Sequence, residues 1–225
     1  MLSIIFLFLL AAASVVHLIG SWIENAKMRN FTKPALLILI ILYYFSAVKG
    51  SPDYVLVAAL FASWLGDVLL IPKGNGWFTA GGIFFMIAHF LFIAVYVPQV
   101  DFSAVNYALV IPLAVAYYAV SAVIIYLLHP TTPKMMQAPM YIYLLSNSTM
   151  NVFSFMQMLS NPCRATVVAY IGALLFFISD CSLFLVRYYK KKDVVFKHHF
   201  TVMLTYILGE FMITQGMLML SQGGI

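Results

Sequence analysis

Phe176-Phe177-Ile178-Ser179-Asp180-Cys181-Ser182-Leu183 places one carboxylate inside a run, from about Ala165 to Tyr188, that is otherwise apolar enough to cross a membrane. A charge near the bilayer centre costs at least ~2.5 to 3.5 kcal/mol, so a carboxylate there faces the interior of a helix bundle and is kept for a task. Leu65-Gly66-Asp67-Val68-Leu69-Leu70 has the same form: a small residue, an aspartate and an apolar tail. The rest of the chain is expected to be a scaffold that brings Asp67 and Asp180 together.

The surrounding composition supports that reading. Of 225 residues, 64% are hydrophobic and 8% charged, with a mean hydropathy of +1.00, against roughly 25% charged in a soluble domain. Apolar segments at about 2–20, 32–48, 54–72, 77–97, 105–128, 138–160, 165–188 and 199–220 match the ~20 residues that a spanning helix needs. They predict an all-α integral membrane protein, one polytopic domain over 1–225 with eight transmembrane helices. Turn residues separate the segments, as at Gly50-Ser51-Pro52 and Asn161-Pro162, and none alternates like a barrel strand. The first run starts at Met1 without a basic region and is expected to be a retained helix rather than a cleaved signal. Cys163 and Cys181 are too few for a disulfide framework, and Cys181 is expected to pack as a small apolar residue.

All of the twelve Lys and Arg except Lys49 and Arg164 fall in or beside the odd-numbered connections. The positive-inside rule then puts those connections in the cytoplasm and both termini outside, and a bacterial inner membrane is the expected location. This bias, with contacts to anionic headgroups, accounts for the formal charge of +5 without any nucleic acid. Asp67 in the third helix and Asp180 in the seventh, with Pro34 opening the second and Pro139 the sixth, would make a 4+4 parallel repeat. Pro112 is expected to interrupt the fifth helix.

The other intramembrane polar residues recur at helical spacing. Tyr143, Asn147, Asn151 and Ser154 form one stripe; Tyr206, Glu210 and Thr214 form another; Gly81, Phe85, His89 and Tyr96 share a third face. Stripes of this kind commonly join helices by hydrogen bonds. Two carboxyls close together in a low-dielectric interior cannot both ionise cheaply, so Asp67 and Asp180 could hold one protonated and one ionised member, an acid beside a base. The competing structural reading pairs each with Lys33 or Arg187 and gives it packing work alone. No two of His17, His89, His198 and His199 have the i, i+4 spacing of a metal-ligand pair, and there is no Gly-x-Ser-x-Gly elbow or phosphate-binding glycine loop. Neither metal nor cofactor is expected.

Thr32-Lys33-Pro34, Leu65-Gly66-Asp67, Gly81 to His89, Gly172-Ala173, Ser179-Asp180 and Tyr206, in this order from about Phe31 to Gln215, resemble the YhhN or lysoplasmalogenase-like membrane proteins. The resemblance implies eight helices, hydrolysis of the vinyl ether bond of lysoplasmalogen to a fatty aldehyde and a glycerophospho-base, and Asp67 and Asp180 as the catalytic pair. Lys33, His89, Asn147, Asn151, Ser179, Arg187, Tyr206 and Glu210 would support the substrate, a lysophospholipid lying in the bilayer with its headgroup near Lys33, Asn147 and Arg187. Two positions depart from the family pattern: Phe92 stands where relatives often carry Tyr, and Glu210 where Gln looks commoner. A proton-coupled transporter that uses the same carboxylates as a relay is the leading alternative. A non-catalytic lipid-binding or assembly protein, which would tolerate Asp67→Asn and Asp180→Asn, is the third.

Overall fold

Eight α-helices and the turns between them make up residues 1–223, which the computed structural model describes: α1 Leu2–Trp22, α2 Ala26–Ala47, α3 Tyr54–Leu69, α4 Asn75–Tyr96, α5 Tyr107–Leu128, α6 Lys134–Ser160, α7 Arg164–Tyr188 and α8 His199–Ser221. Gly224 and Ile225, at the end of the expected 1–225 domain, lie outside the described residues. There is no strand among those described. Six helices are long and apolar enough to cross a membrane. Of the other two, α3 has 16 residues, and α6 has 27 but carries a buried polar face that lowers its hydropathy.

Two helices begin earlier than their apolar segments. The Asn25 side chain accepts the Met28 N–H at 3.2 Å and starts α2 at Ala26, so Lys27 and Arg29 are helical. Likewise α6 starts at Lys134 after Pro133. Pro34 and Pro139 therefore lie inside helices instead of opening them, and Pro112 lies within an unbroken α5. Apolarity marks where a helix enters the hydrocarbon, whereas the cap decides where it begins.

Neighbouring contacts close a ring, α2–α3–α4–α6–α7–α8 and back to α2. Outside it, α1 packs on α2 and α8, and α5 on α6 and α7. The tightest seams are made by glycine, because lipid supplies no hydrophobic drive between helices and small residues let backbones approach. A Cβ on Gly172 of α7 would stand 2.6 Å from Ile213 N and 2.7 Å from Gly209 O of α8. On Gly66 of α3 it would stand 2.6 Å from the Phe85 ring of α4. These seams bring Asp67, beside Gly66, toward α4, and set α7 close to α8. The Ser179 hydroxyl then donates to the Val202 carbonyl at 2.9 Å. Between α2 and α3, Trp64 Nε1 donates to the Pro34 carbonyl at 2.9 Å, fixing the register of Lys33 against Asp67.

Gly172→Val is expected to overpack the α7–α8 seam and cost about 1–3 kcal/mol or more. Gly82→Ala, whose Cβ would meet nothing within 4 Å, should leave stability within about 0.5 kcal/mol of the wild type. Thermal unfolding of the two variants in one detergent checks the contrast.

Candidate active site

Asp67 near the end of α3 and Asp180 in the last third of α7 line a single cavity of about 450 Å³. Lys33, Arg187 and His199 also border it, as do Ser179 and Tyr206. All of these project from the helix ends served by the α1–α2, α3–α4 and α7–α8 connections. The cavity is polar there, and Phe78, Phe85 and Leu183 make its inner wall apolar.

The two carboxylates are held differently. Lys33 Nζ lies 3.1 Å from Asp67 Oδ1, and the Tyr206 hydroxyl donates to Asp67 Oδ2 at 2.8 Å. Both oxygens are thus occupied, one by a cation. At Asp180 both contacts fall on Oδ2: the Asn147 amide donates at 2.6 Å and His89 Nε2 lies at 3.2 Å. The buried Tyr143 hydroxyl also faces the Asp180 carboxyl. Asn151 Nδ2 donates to Asn147 Oδ1 at 2.9 Å, which turns the Asn147 amide nitrogen toward Asp180.

Hydrogen counting locates a proton. The single hydroxyl hydrogen of Ser146 goes to the Tyr143 carbonyl at 2.8 Å, so across the 3.2 Å contact with His89 Nδ1 the imidazole N–H is the donor. A neutral His89 then has no hydrogen on Nε2, and a bare Nε2 facing a bare carboxylate would be repulsive. His89 Nε2 and Asp180 Oδ2 lie 3.2 Å apart, a spacing that one hydrogen on either partner would bridge. His89 and Asp180 are thus spaced as a pair that can share one proton, while Asp67 and Lys33 form an ion pair.

Aromatic contacts through Phe176 link the two groups. Phe176 lies 5.3 Å from His89 and 5.6 Å from Tyr206, with Phe85 against both Phe176 and Tyr206. Phe92, one of the two departures from the family pattern, packs in the core against Phe176.

Several expected residues are placed otherwise than the sequence implied. Arg187 does not pair with Asp180; its guanidinium lies over the Phe78 ring at 4.0 Å and donates to Asn75 Oδ1 at 3.0 Å, exposed at the cavity mouth. Asn147 and Asn151 are buried behind Asp180, so Asn147 is not at the mouth with Lys33 and Arg187. Glu210 is fully buried, makes no hydrogen bond through its carboxyl oxygens and is not on the cavity wall. His199, weighed in the sequence only as a metal ligand, lies on the wall, as do Val202 and Met203. Stepping back three, four and seven residues from Tyr206 along one helix face would have found all three. Among the described residues no group of three or more His, Cys, Asp or Glu is placed to hold a metal ion.

A family model described as the YhhN family matches residues 28–217. No curated protein and no solved structure matches the chain.

Removing one member of a buried ion pair leaves the other uncompensated, at a cost of about 3–5 kcal/mol. Lys33→Met is therefore expected to lower the unfolding temperature sharply, and Lys33→Met with Asp67→Asn to recover most of the loss. Unfolding curves of the wild type, the single variant and the double variant check this.

Proposed function

The chain belongs to the YhhN family, and from that premise we propose that it is an intramembrane hydrolase that cleaves the vinyl ether bond of a lysoplasmalogen to a fatty aldehyde and a glycerophospho-base. The observation that carries this reading is the unlike provision for two aspartates on one cavity: a pair spaced to share a proton at Asp180 and a counter-charged carboxylate at Asp67. Vinyl ether hydrolysis needs one group of each kind.

In the proposed reaction the Asp180–His89 dyad protonates the vinyl carbon remote from oxygen, giving an oxocarbenium ion. Asp67 faces this cation as a carboxylate and takes a proton from the water that attacks it, so that a hemiacetal forms. On collapse, Asp67 returns its proton to the departing glycerol oxygen and the hemiacetal hydroxyl returns its own to the dyad. The carbon–oxygen bond breaks, aldehyde and alcohol leave, and both groups regain their starting states. Two carboxyls flanking an oxocarbenium-like transition state serve glycosidases in the same way. Tyr206 and Lys33 hold Asp67 in place; Asn147, backed by Asn151, holds Asp180; Ser179 ties α7 to α8 beside it. Arg187 and His199 at the mouth suit the substrate's phosphate. The mouth faces the cytoplasm if the positive-inside reading holds, in a bacterial inner membrane.

A second reading has its own support. Asp67 is held by α2 and α8, and Asp180 by α6 and α4, so each aspartate takes partners from both halves of a 4+4 arrangement. Buried polar atoms with no hydrogen-bond partner continue past the site at Ser63, Tyr96, Ser154 and Glu210. A proton-coupled transporter would use both features.

The purified protein in detergent is expected to release fatty aldehyde from choline or ethanolamine lysoplasmalogen. Asp180→Asn should lower kcat by about 10²–10⁴, the usual worth of a general acid, with Asp67→Asn lowering it comparably and both variants remaining folded. Absence of release by the wild type, together with proton-coupled flux in liposomes, would favour the transporter.

A further inference from the structure

Besides the acid cavity, the bundle has a second chamber of about 310 Å³ between α4 and α6, within the ~300–1,000 Å³ range of small-molecule sites. Gly82, Ile83 and Met86 line it from α4; Met136, Met140 and Ile142 line it from α6. Ile83 and Ile142 are 44% and 51% exposed, so the chamber meets the lipid-facing surface at their level. Its wall is almost wholly apolar, and its three methionines are flexible gap-fillers that adapt to an irregular chain.

The chamber and the acid cavity are neighbours that share a wall. Phe78 borders both. Between them is a neck of about 10 Å³. Gly82, Tyr143 and Phe184 belong to chamber and neck, whereas Phe85 and Leu183 belong to neck and acid cavity. Side-chain rings close the neck: Phe184 lies edge-on to Phe78 at 6.0 Å and to Tyr143 at 5.1 Å. Gly82 is the point of least obstruction, since a Cβ there would meet nothing within 4 Å.

From the lipid side inward, the order is apolar chamber, aromatic neck, acid pair, then the Lys33, His199 and Arg187 mouth. A molecule with that order of polarity has a single long alkyl chain, a reactive linkage and an anionic headgroup. We infer that the seam between α4 and α6 is the tail site of a single-chain lysophospholipid, entered sideways from the bilayer, with Gly82 setting the chain length admitted. The inference rests on the lipid-substrate reading above and adds which seam, which residues and which specificity. Two more apolar grooves, about 220 Å³ between α1 and α8 and about 630 Å³ at the end of α5, share no lining residue with the acid cavity and are not assigned this role.

The test uses a 1-O-alkyl lysophospholipid, saturated so that it cannot be cleaved, with a photoactivatable diazirine at its tail end. Irradiation with the purified full chain, followed by peptide mass spectrometry, should place label on residues 82–86 of α4 and 136–142 of α6. Label on α1 and α8, or label without a preferred site, overturns the inference. Gly82→Leu should reduce labelling of the seam at least tenfold and lower the long-to-short-chain ratio of kcat/KM for aldehyde release by at least tenfold. Gly76→Ala, whose Cβ also meets nothing within 4 Å and which lines neither chamber nor acid cavity, should leave both nearly unchanged. The tail site and the chemistry can fail separately: seam labelling without aldehyde release keeps the tail site and rejects the hydrolase, and release with label elsewhere does the reverse.

Discussion

The structure depends on keeping two carboxylates inside a medium that disfavours charge. A lone ionised carboxylate in such a medium is far costlier than a paired or hydrogen-bonded one, so each aspartate needs its own remedy. Asp67 has a lysine cation and a tyrosine hydroxyl, one on each oxygen. Asp180 has an amide and an imidazole, both on the same oxygen. The two remedies differ in kind: Asp67 is neutralised by a cation, whereas Asp180 lies among an amide, an imidazole and the Tyr143 hydroxyl, and under the proposed reaction that difference separates base from acid.

The helices are arranged to make those contacts. Five of them, α2, α3, α4, α7 and α8, line the cavity, and α6 supplies Asn147 from behind. Glycines at the α7–α8 and α3–α4 seams allow the backbone approach, and the Trp64–Pro34 bond holds α2 in register with α3. Phe176, against His89 on one side and Tyr206 on the other, links the His89–Asp180 pair to the ion pair. Adding bulk at these seams would therefore damage the chemistry through position before it removed any functional group.

Much of this was legible in the sequence because charge in an apolar run is conspicuous. Asp67 and Asp180 stood out for that reason, and helical spacing grouped Tyr143 with Asn147 and Asn151, and His89 with Phe85. Lys33 and Arg187 were equally eligible partners, since sequence does not say which helices are neighbours; the ring gives Lys33 to Asp67 and leaves Arg187 long enough to reach the surface and Asn75. Glu210 shares a helix face with Tyr206, but it lies one turn deeper, past the cavity floor. The starts of α2 and α6 escaped notice because caps and interfacial lysines, not apolar residues, determine them. Pro34 and Pro139, read as helix openers, lie inside as a consequence.

The central claim is that a protein acid protonates carbon and water supplies the new oxygen. Running the reaction on a lysoplasmalogen in heavy water with ¹⁸O label tests both at once, by mass spectrometry of the aldehyde trapped as it forms. The account predicts one deuterium on the carbon next to the carbonyl and ¹⁸O in the aldehyde, with its rate of formation lowered about 10²–10⁴-fold in Asp180→Asn. An aldehyde lacking that deuterium, or one formed undiminished by Asp180→Asn, would contradict it.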